Sequence, residues 1–413
     1  MNEKEKTLLT PEEQERRHQV AEQRRRKARA EQARKKRRAK KIKLTIGIVF
    51  VTLLTAAAVF IITRYVLPDA GKDAQQPKTS PSEEQTSSET TQTPTTAPEP
   101  THDYPELKSK NGTFSTYSSG AIRVDNAAFS VCGTLSDSVT SKYAALVSEV
   151  ADSLNGKTKV YSLIIPTSYG VTLPDDIKTQ IANYADQGES ITKVFSKMSE
   201  NVTPVYCYDD LMTHRDEYLY FRTDHHWNGK GAYYAYAAFC RTKGIEPYTL
   251  EEREKKEFDG FLGTMYQNNG KDKNLLPADT VEAFLPVSAN AAMKFTNTDG
   301  TTYDWPIVKD VSEWSSGAKY NTFAGSDNPI TEFTNPDVAD GSVLIVVKES
   351  FGNALLPYLV DHYSKIYEID YRYWKGNLVS FAEEVGADDL LFANNIMMTS
   401  TSLLVGNLSK IIK

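Results

Sequence analysis

Cysteine is scarce in this chain: three residues in 413, Cys132, Cys207 and Cys240, with no C-x-x-C spacing. Three thiols form at most one intrachain disulfide, and the missing pairs argue against a structural zinc site, so buried free thiols are expected. No G-x-S-x-G motif occurs, which disfavours the usual α/β-hydrolase elbow. No internal repeat is visible. Large apolar residues are nearly missing from Arg24–Lys43 and from Asp69–His102, so neither stretch can build a core. Charge is missing from Leu44–Thr63 (LTIGIVFVTLLTAAAVFIIT). Histidine is limited to six residues, which makes elimination practicable.

The uncharged run predicts a transmembrane helix. At 1.5 Å per residue, about twenty helical residues span the roughly 30 Å of a bilayer core. Residues 1–43 hold 17 Lys and Arg against 7 Glu, a net +10, which leaves −16 for the rest. Excess basic charge beside a first transmembrane helix keeps that flank in the cytoplasm. A cleaved signal peptide is the rival, but the n-region is too long and no small-x-small site follows the run. The expected layout is a basic cytoplasmic tail (1–43), one transmembrane helix (44–67), a disordered linker (68–103) and an extracytoplasmic domain (104–413). Thr10, Pro11 and Glu13 resemble a helix start within the tail. The tail reads as a topology signal, with contact to anionic lipid headgroups as a sharper alternative. Nothing points to nucleic acid, and the external acidic excess argues against a polyanion held by charge alone. The Pro/Thr/Ser/Glu-rich linker reads as a spacer.

The last 75 residues have the clearest pattern. Val343–Lys348 (VLIVVK), Ile366–Asp370 and Leu390–Ala393 read as buried strands, separated by helices over Gly352–Tyr363 and Leu378–Val385. Upstream, Val160–Ile165 and Val205–Tyr208 read as strands, and Asp175–Met198 and Gly229–Thr242 as helices. The region 251–340, with Gly, Asn and Asp turns, is a candidate insertion. Alternating strands and helices predict an α/β fold: a three-layer sandwich with a mostly parallel sheet and reactive groups past the strand carboxyl ends.

The densest motif is Arg222-Thr223-Asp224-His225-His226-Trp227. Of the six histidines, His18 lies in the tail and His102 in the linker, and only His225 and His226 sit in such a motif. In an extended segment residues two apart share a face, so Asp224 and His226 point together and His225 points away. A carboxylate that orients an imidazole leaves the other ring nitrogen free to activate a hydroxyl. A packed histidine pair is the bland alternative. A metal site on Asp224 with His225 or His226 is weaker, for lack of a third ligand. Ser350 follows VLIVVK directly and opens the next helix, where free N–H groups can stabilise an oxyanion. The plain alternative is a helix cap.

Thr223-Asp224-His225-His226-Trp227, followed by Gly231-Ala232-Tyr233, resembles the signature of the DHHW family, which is itself similar to the alginate O-acetylation proteins of the SGNH-hydrolase-like superfamily. Ile165-Pro166-Thr167 and Asp370-Tyr371-Arg372-Tyr373 also resemble family segments. The resemblance implies that Asp224, His226 and Ser350 form a catalytic triad, here in the chain order Asp–His–Ser. Two features depart from the pattern: Glu349 stands where an Asp commonly precedes the serine, and the GDS and C-terminal D-x-x-H blocks of ordinary SGNH hydrolases are missing. Oxyanion or substrate-binding candidates are the Ser350 and Gly352 N–H groups and the Asn353, Asn394 and Arg222 side chains, with Asn395 an equal rival of Asn394.

The implied activity is a serine O-acetyltransferase or esterase acting on cell-surface polysaccharide. It needs no cofactor or metal, and a membrane-bound O-acyltransferase partner would deliver the acyl group. The alternative is a non-catalytic glycan- or wall-binding envelope protein, for which 22 external tyrosines and four tryptophans offer stacking faces. An envelope assembly protein that uses its tail as a cytoplasmic contact is a third reading.

Overall fold

The computed structural model describes residues 103–412. The expected tail, transmembrane helix and linker up to His102 lie outside the described residues. Among the described residues no helix is long and apolar enough to cross a membrane.

The fold is mixed α/β, built on a central sheet of eight strands: β1 (Lys159–Ile165), β2 (Val202–Val205), β3 (Ala292–Thr296), β4 (Thr302–Trp305), β5 (Ile330–Thr334), β6 (Val343–Lys348), β7 (Lys365–Asp370) and β8 (Asp389–Asn395). The spatial order is β2-β1-β8-β6-β7-β5-β3-β4. The first five strands in that order are parallel, and β5, β3 and β4 extend the sheet antiparallel. Parallel strands covered on both faces are apolar along their length. Leu344, Ile345, Val346 and Val347 of β6 accordingly have no exposed surface.

The main helices are α1 (Asp137–Leu154), α2 (Gln187–Phe195), α3 (Gly229–Lys243), α4 (Leu378–Val385) and α5 (Ser402–Ile412). One group packs around α1, which meets α2, α4, α5, β1 and β2. Another gathers on α3, which meets β2 and the short helix Leu356–Leu359. Asn228 begins α3 by accepting the Gly229 N–H (3.0 Å), and Gly244 ends it in the left-handed region at φ 79°.

Three expected elements differ. Asp175–Met198 is not one helix. A single turn, Asp175–Lys178, is followed by irregular chain, and α2 starts afresh because Asp186 accepts the Glu189 N–H (3.0 Å). The strand expected at Val205–Tyr208 is Val202–Val205, and Tyr208 already opens the helical turn Tyr208–Thr213. Gly352–Tyr363 is not one helix either: a 3-10 turn (Ser350–Ala354), one α-turn (Leu356–Leu359) and a second 3-10 turn (Val360–His362) follow one another. Pro357 sits within it without an N–H to donate. The region 251–340 lends β3, β4 and β5 to the central sheet and forms a separate antiparallel pair from Lys255–Phe261 and Asp279–Phe284. All three cysteines are free and buried.

β6 ends on a buried charge cluster. The Lys348 ammonium pairs with Glu368 (2.7 Å), Asp370 (3.6 Å) and Asp327 (3.6 Å), and it donates to the Asn353 carbonyl oxygen. Burial works to lower the Lys348 pKa, but the three carboxylates outweigh it and hold the ammonium above its usual value. Burial pushes the Glu368 carboxyl up to about 7, against the pull of Lys348. Arg372 completes the cluster, donating to Asp370 (2.9 and 2.6 Å) and pairing with Asp327 (2.9 Å). Removing one partner of such a cluster strands the others. Lys348→Met is therefore expected to lower stability by about 3 kcal/mol in denaturant unfolding. A loss under about 1 kcal/mol would show that the cluster does not hold the end of β6.

Candidate active site

The register of the sheet sets the site. Lys348 pairs with Ala393 of β8 and Asp370 of β7, so Ser350, two residues on, emerges beside the end of β8. That is the carboxyl edge of the parallel strands, where α/β sheets place their reactive groups. Ser350 opens a 3-10 turn that Glu349 stabilises. The Glu349 carboxylate accepts from the Phe351 N–H (3.2 Å) and, on its other oxygen, from the Asn395 N–H (2.9 Å) and side-chain amide (3.1 Å). Glu349 thus ties the turn that carries Ser350 to the end of β8, with no exposed surface of its own.

The histidine motif meets this turn from across the chain. His226 Nε2 lies 2.8 Å from Ser350 Oγ, and Nδ1 lies 2.6 Å from Asp224 Oδ1. The expected extended segment is instead a tight bend, because Asp224 Oδ1 also accepts the His226 backbone N–H (3.0 Å), closing an Asx-type turn. This bend still brings Asp224 to His226. It also brings His225 to the same side, with the two imidazole rings 3.8 Å apart, against the expectation that they diverge. The second Asp224 oxygen accepts from the Thr264 N–H (2.6 Å) and hydroxyl (2.9 Å). Gly263 makes that approach feasible, since a Cβ there would lie 2.3 Å from Asp224 Oδ2.

Further contacts fix the geometry. Tyr320 stacks on the His226 ring at 4.0 Å and 8°, and its hydroxyl donates to the Ser350 carbonyl (2.9 Å). Trp227, fully buried, donates from its indole N–H to the Phe351 carbonyl (2.9 Å). Thr223 donates its N–H (2.8 Å) and hydroxyl (2.6 Å) to the buried Asp279. The motif is therefore pinned at both ends.

Burial works to raise the Asp224 pKa. The His226 and His225 rings and the Thr264 N–H outweigh it and hold the carboxyl well below its usual range. An ionised Asp224 only accepts, so Nδ1 of His226 carries the proton and Nε2 receives the Ser350 hydroxyl. Burial, with the adjoining His226 ring, pushes His225 down to about 4. Asp224, His225 and His226 hold ligand atoms within 4.8 Å of one another, as a metal site would. Asp224 and His226 already direct theirs at each other, at Thr264 and at Ser350.

The oxyanion candidates fare differently. Arg222 turns away to Asp279 (3.0 Å) and the carbonyls of Pro277 and Ala278. The Gly352 N–H closes the 3-10 turn onto the Glu349 carbonyl (2.9 Å). Asn353 joins the Lys348 cluster and donates to Asp327 (3.1 Å). Asn394 is still within β8 and faces the buried Tyr143 hydroxyl (3.3 Å). None of these four donates a hydrogen bond to the Ser350 hydroxyl, which meets His226 and Glu349 instead. The Ser350 N–H heads the turn and so has no partner within it. Sequence reasoning missed Thr264 and Tyr320 altogether, and took Glu349 only as a departure from a pattern.

The chain belongs to the DHHW family. Residues 106–369, more than half of it, match the model of that family, the DHHW protein. A DHHW family protein from Eubacterium siraeum is similar over 71% of this chain and 95% of its own, at 26% identity and a TM-score of 0.64. Bacillus cereus PatB1, solved with a sulfonyl adduct, aligns over 73% of this chain and 98% of its own, at 15% identity and a TM-score of 0.57. The O-acetyltransferase domain of Pseudomonas putida AlgJ aligns over 71% and 98%, at 12% identity and a TM-score of 0.35. The comparison with curated proteins finds no match.

Two outcomes test the Asp224 environment. Gly263→Ala should push Asp224 off Thr264 and cost about 1–3 kcal/mol of stability; unchanged unfolding would contradict that close approach. The depressed folded pKa of Asp224 stabilises the fold above the unfolded value and is lost as pH falls. The difference in melting temperature between the native protein and Asp224→Asn should then narrow below about pH 4. A difference constant with pH would contradict an ionised Asp224.

Proposed function

We propose that this protein is a serine O-acyltransferase or esterase of the cell envelope, acting on surface polysaccharide and tethered by Leu44–Thr63 with its N-terminus in the cytoplasm. The observation that carries this reading is the unbroken hydrogen-bonded chain from Asp224 through His226 to Ser350.

The chemistry follows from that chain. Ser350 Oγ gives its proton to His226 Nε2 and attacks the carbonyl carbon of an acyl ester. Asp224 stabilises the imidazolium that forms. The imidazolium then protonates the leaving alcohol, which leaves an acyl-Ser350. A sugar hydroxyl or water attacks next, gives its proton to His226, and releases Ser350 with that proton. The resemblance of the DHHW signature to the alginate O-acetylation proteins is what favours an acetyl group as cargo and transfer over hydrolysis. An external domain has no access to cytosolic acyl-CoA, which supports a membrane-bound O-acyltransferase as the source of the acyl group.

Ser350→Ala should abolish turnover of a chromogenic acetyl ester while circular dichroism stays native. His226→Ala should lower it by about three orders of magnitude or more. An unaffected rate in Ser350→Ala removes the serine from the mechanism. Glycan binding that survives loss of all three residues, in a native protein without ester turnover, would favour a non-catalytic binding module instead.

A further inference from the structure

His225 has no part in the proton path described above, yet its ring lies 3.8 Å from that of His226. Its Nδ1 is 2.6 Å from the Thr264 hydroxyl. That hydroxyl has one proton, and it donates this proton to Asp224 Oδ2 (2.9 Å). Asp224 is ionised and offers no proton in return. The Thr264 oxygen can therefore only accept from His225, so Nδ1 of His225 carries the hydrogen. Neutral imidazole then has its lone pair on Nε2. Among the described residues Nε2 has no hydrogen-bond partner, and it is not a buried atom. The His225 side chain is 35% exposed, whereas that of His226 is 8% exposed. The site therefore presents two imidazoles side by side, His226 aimed at Ser350 and His225 with an unused acceptor open to solvent.

We infer that His225 Nε2 accepts a hydrogen bond from a second hydroxyl of the acyl acceptor, one carbon away from the hydroxyl that reacts, so that the site selects vicinal diols such as sugar rings. This rests on the acyl-transfer reading above. In that step the reacting hydroxyl oxygen bonds to the acyl carbon and gives its proton to His226. The bond from the acyl carbon to Ser350 Oγ breaks, and Oγ takes the proton. The neighbouring hydroxyl keeps its own proton and only donates a hydrogen bond to His225. Water and simple alcohols lack that second donor, so His225 biases the acyl-enzyme toward glycans and away from hydrolysis.

The test uses the full chain in bilayer discs, a chromogenic acetyl ester as donor, and glycerol and n-propanol as competing acceptors at equal concentration. Counted per primary hydroxyl, since glycerol offers two and n-propanol one, the native ratio of glyceryl to propyl acetate should favour glycerol about tenfold, the value of one hydrogen bond. His225→Phe keeps a ring over His226 but removes both nitrogens, and should bring the ratio close to one. A merely structural role would change the overall rate but not this ratio. No native preference for glycerol, or an unchanged ratio in His225→Phe, overturns the inference. Side-chain nitrogen NMR of the native chain gives an independent measurement: the His225 proton is expected on Nδ1, and finding it on Nε2 overturns the inference as well. Absence of any ester turnover by the native chain defeats the acyl-transfer reading, and with it the acceptor role; the NMR result then reports only the polarity of His225.

Discussion

The site depends on one buried carboxylate. Asp224 accepts four hydrogen bonds: the His226 backbone N–H and ring N–H on one oxygen, the Thr264 N–H and hydroxyl on the other. An ionised carboxylate out of water is costly unless it is so surrounded. Its demand for donors explains several features together. The motif bends instead of running straight, residue 263 is glycine, and the Thr264 hydroxyl is committed in one direction. That last commitment reaches outward and sets the polarity of His225. One charge thereby fixes the proton positions on both histidines.

The serine side answers to a second constraint. Ser350 must leave the end of β6 and turn at once, without a long helix behind it. Glu349 and Tyr320 hold that turn from opposite ends, one through the Phe351 N–H and Asn395, the other through the Ser350 carbonyl. Below it the Lys348 cluster balances charge where the strands β6 and β7 end. The serine side of the site thus rests on the ends of β6, β7 and β8, while Asp224 and His226 come to it from the bend of the histidine motif.

Much of this was legible in sequence. The spacing of Asp224 and His226, and a serine placed directly after an apolar strand, made these residues candidates, and the family resemblance supplied the pairing of residues 124 positions apart. The parallel strands were readable because burial on both faces leaves an unbroken apolar run. The rest was not readable for physical reasons. The helix expected over Asp175–Met198 failed because one Asp186 cap outweighs a continuous polar and apolar pattern. Asn394 and Asn395 differ only in which face of β8 each takes, and a strand's end does not declare that alternation. Thr264 and Tyr320 reach Asp224 and Ser350 from a region with no spacing relation to them. Their roles are set by long-range packing, and a lone threonine or tyrosine carries no signal for that.

The central claim is that Ser350 is a nucleophile activated by His226. The most direct measurement is mass spectrometry of the full chain after treatment with an aryl sulfonyl fluoride. The predicted result is one adduct per chain, on the peptide that contains Ser350, and none in His226→Ala. An adduct on another residue, or equal labelling of Ser350 in His226→Ala, would contradict the account.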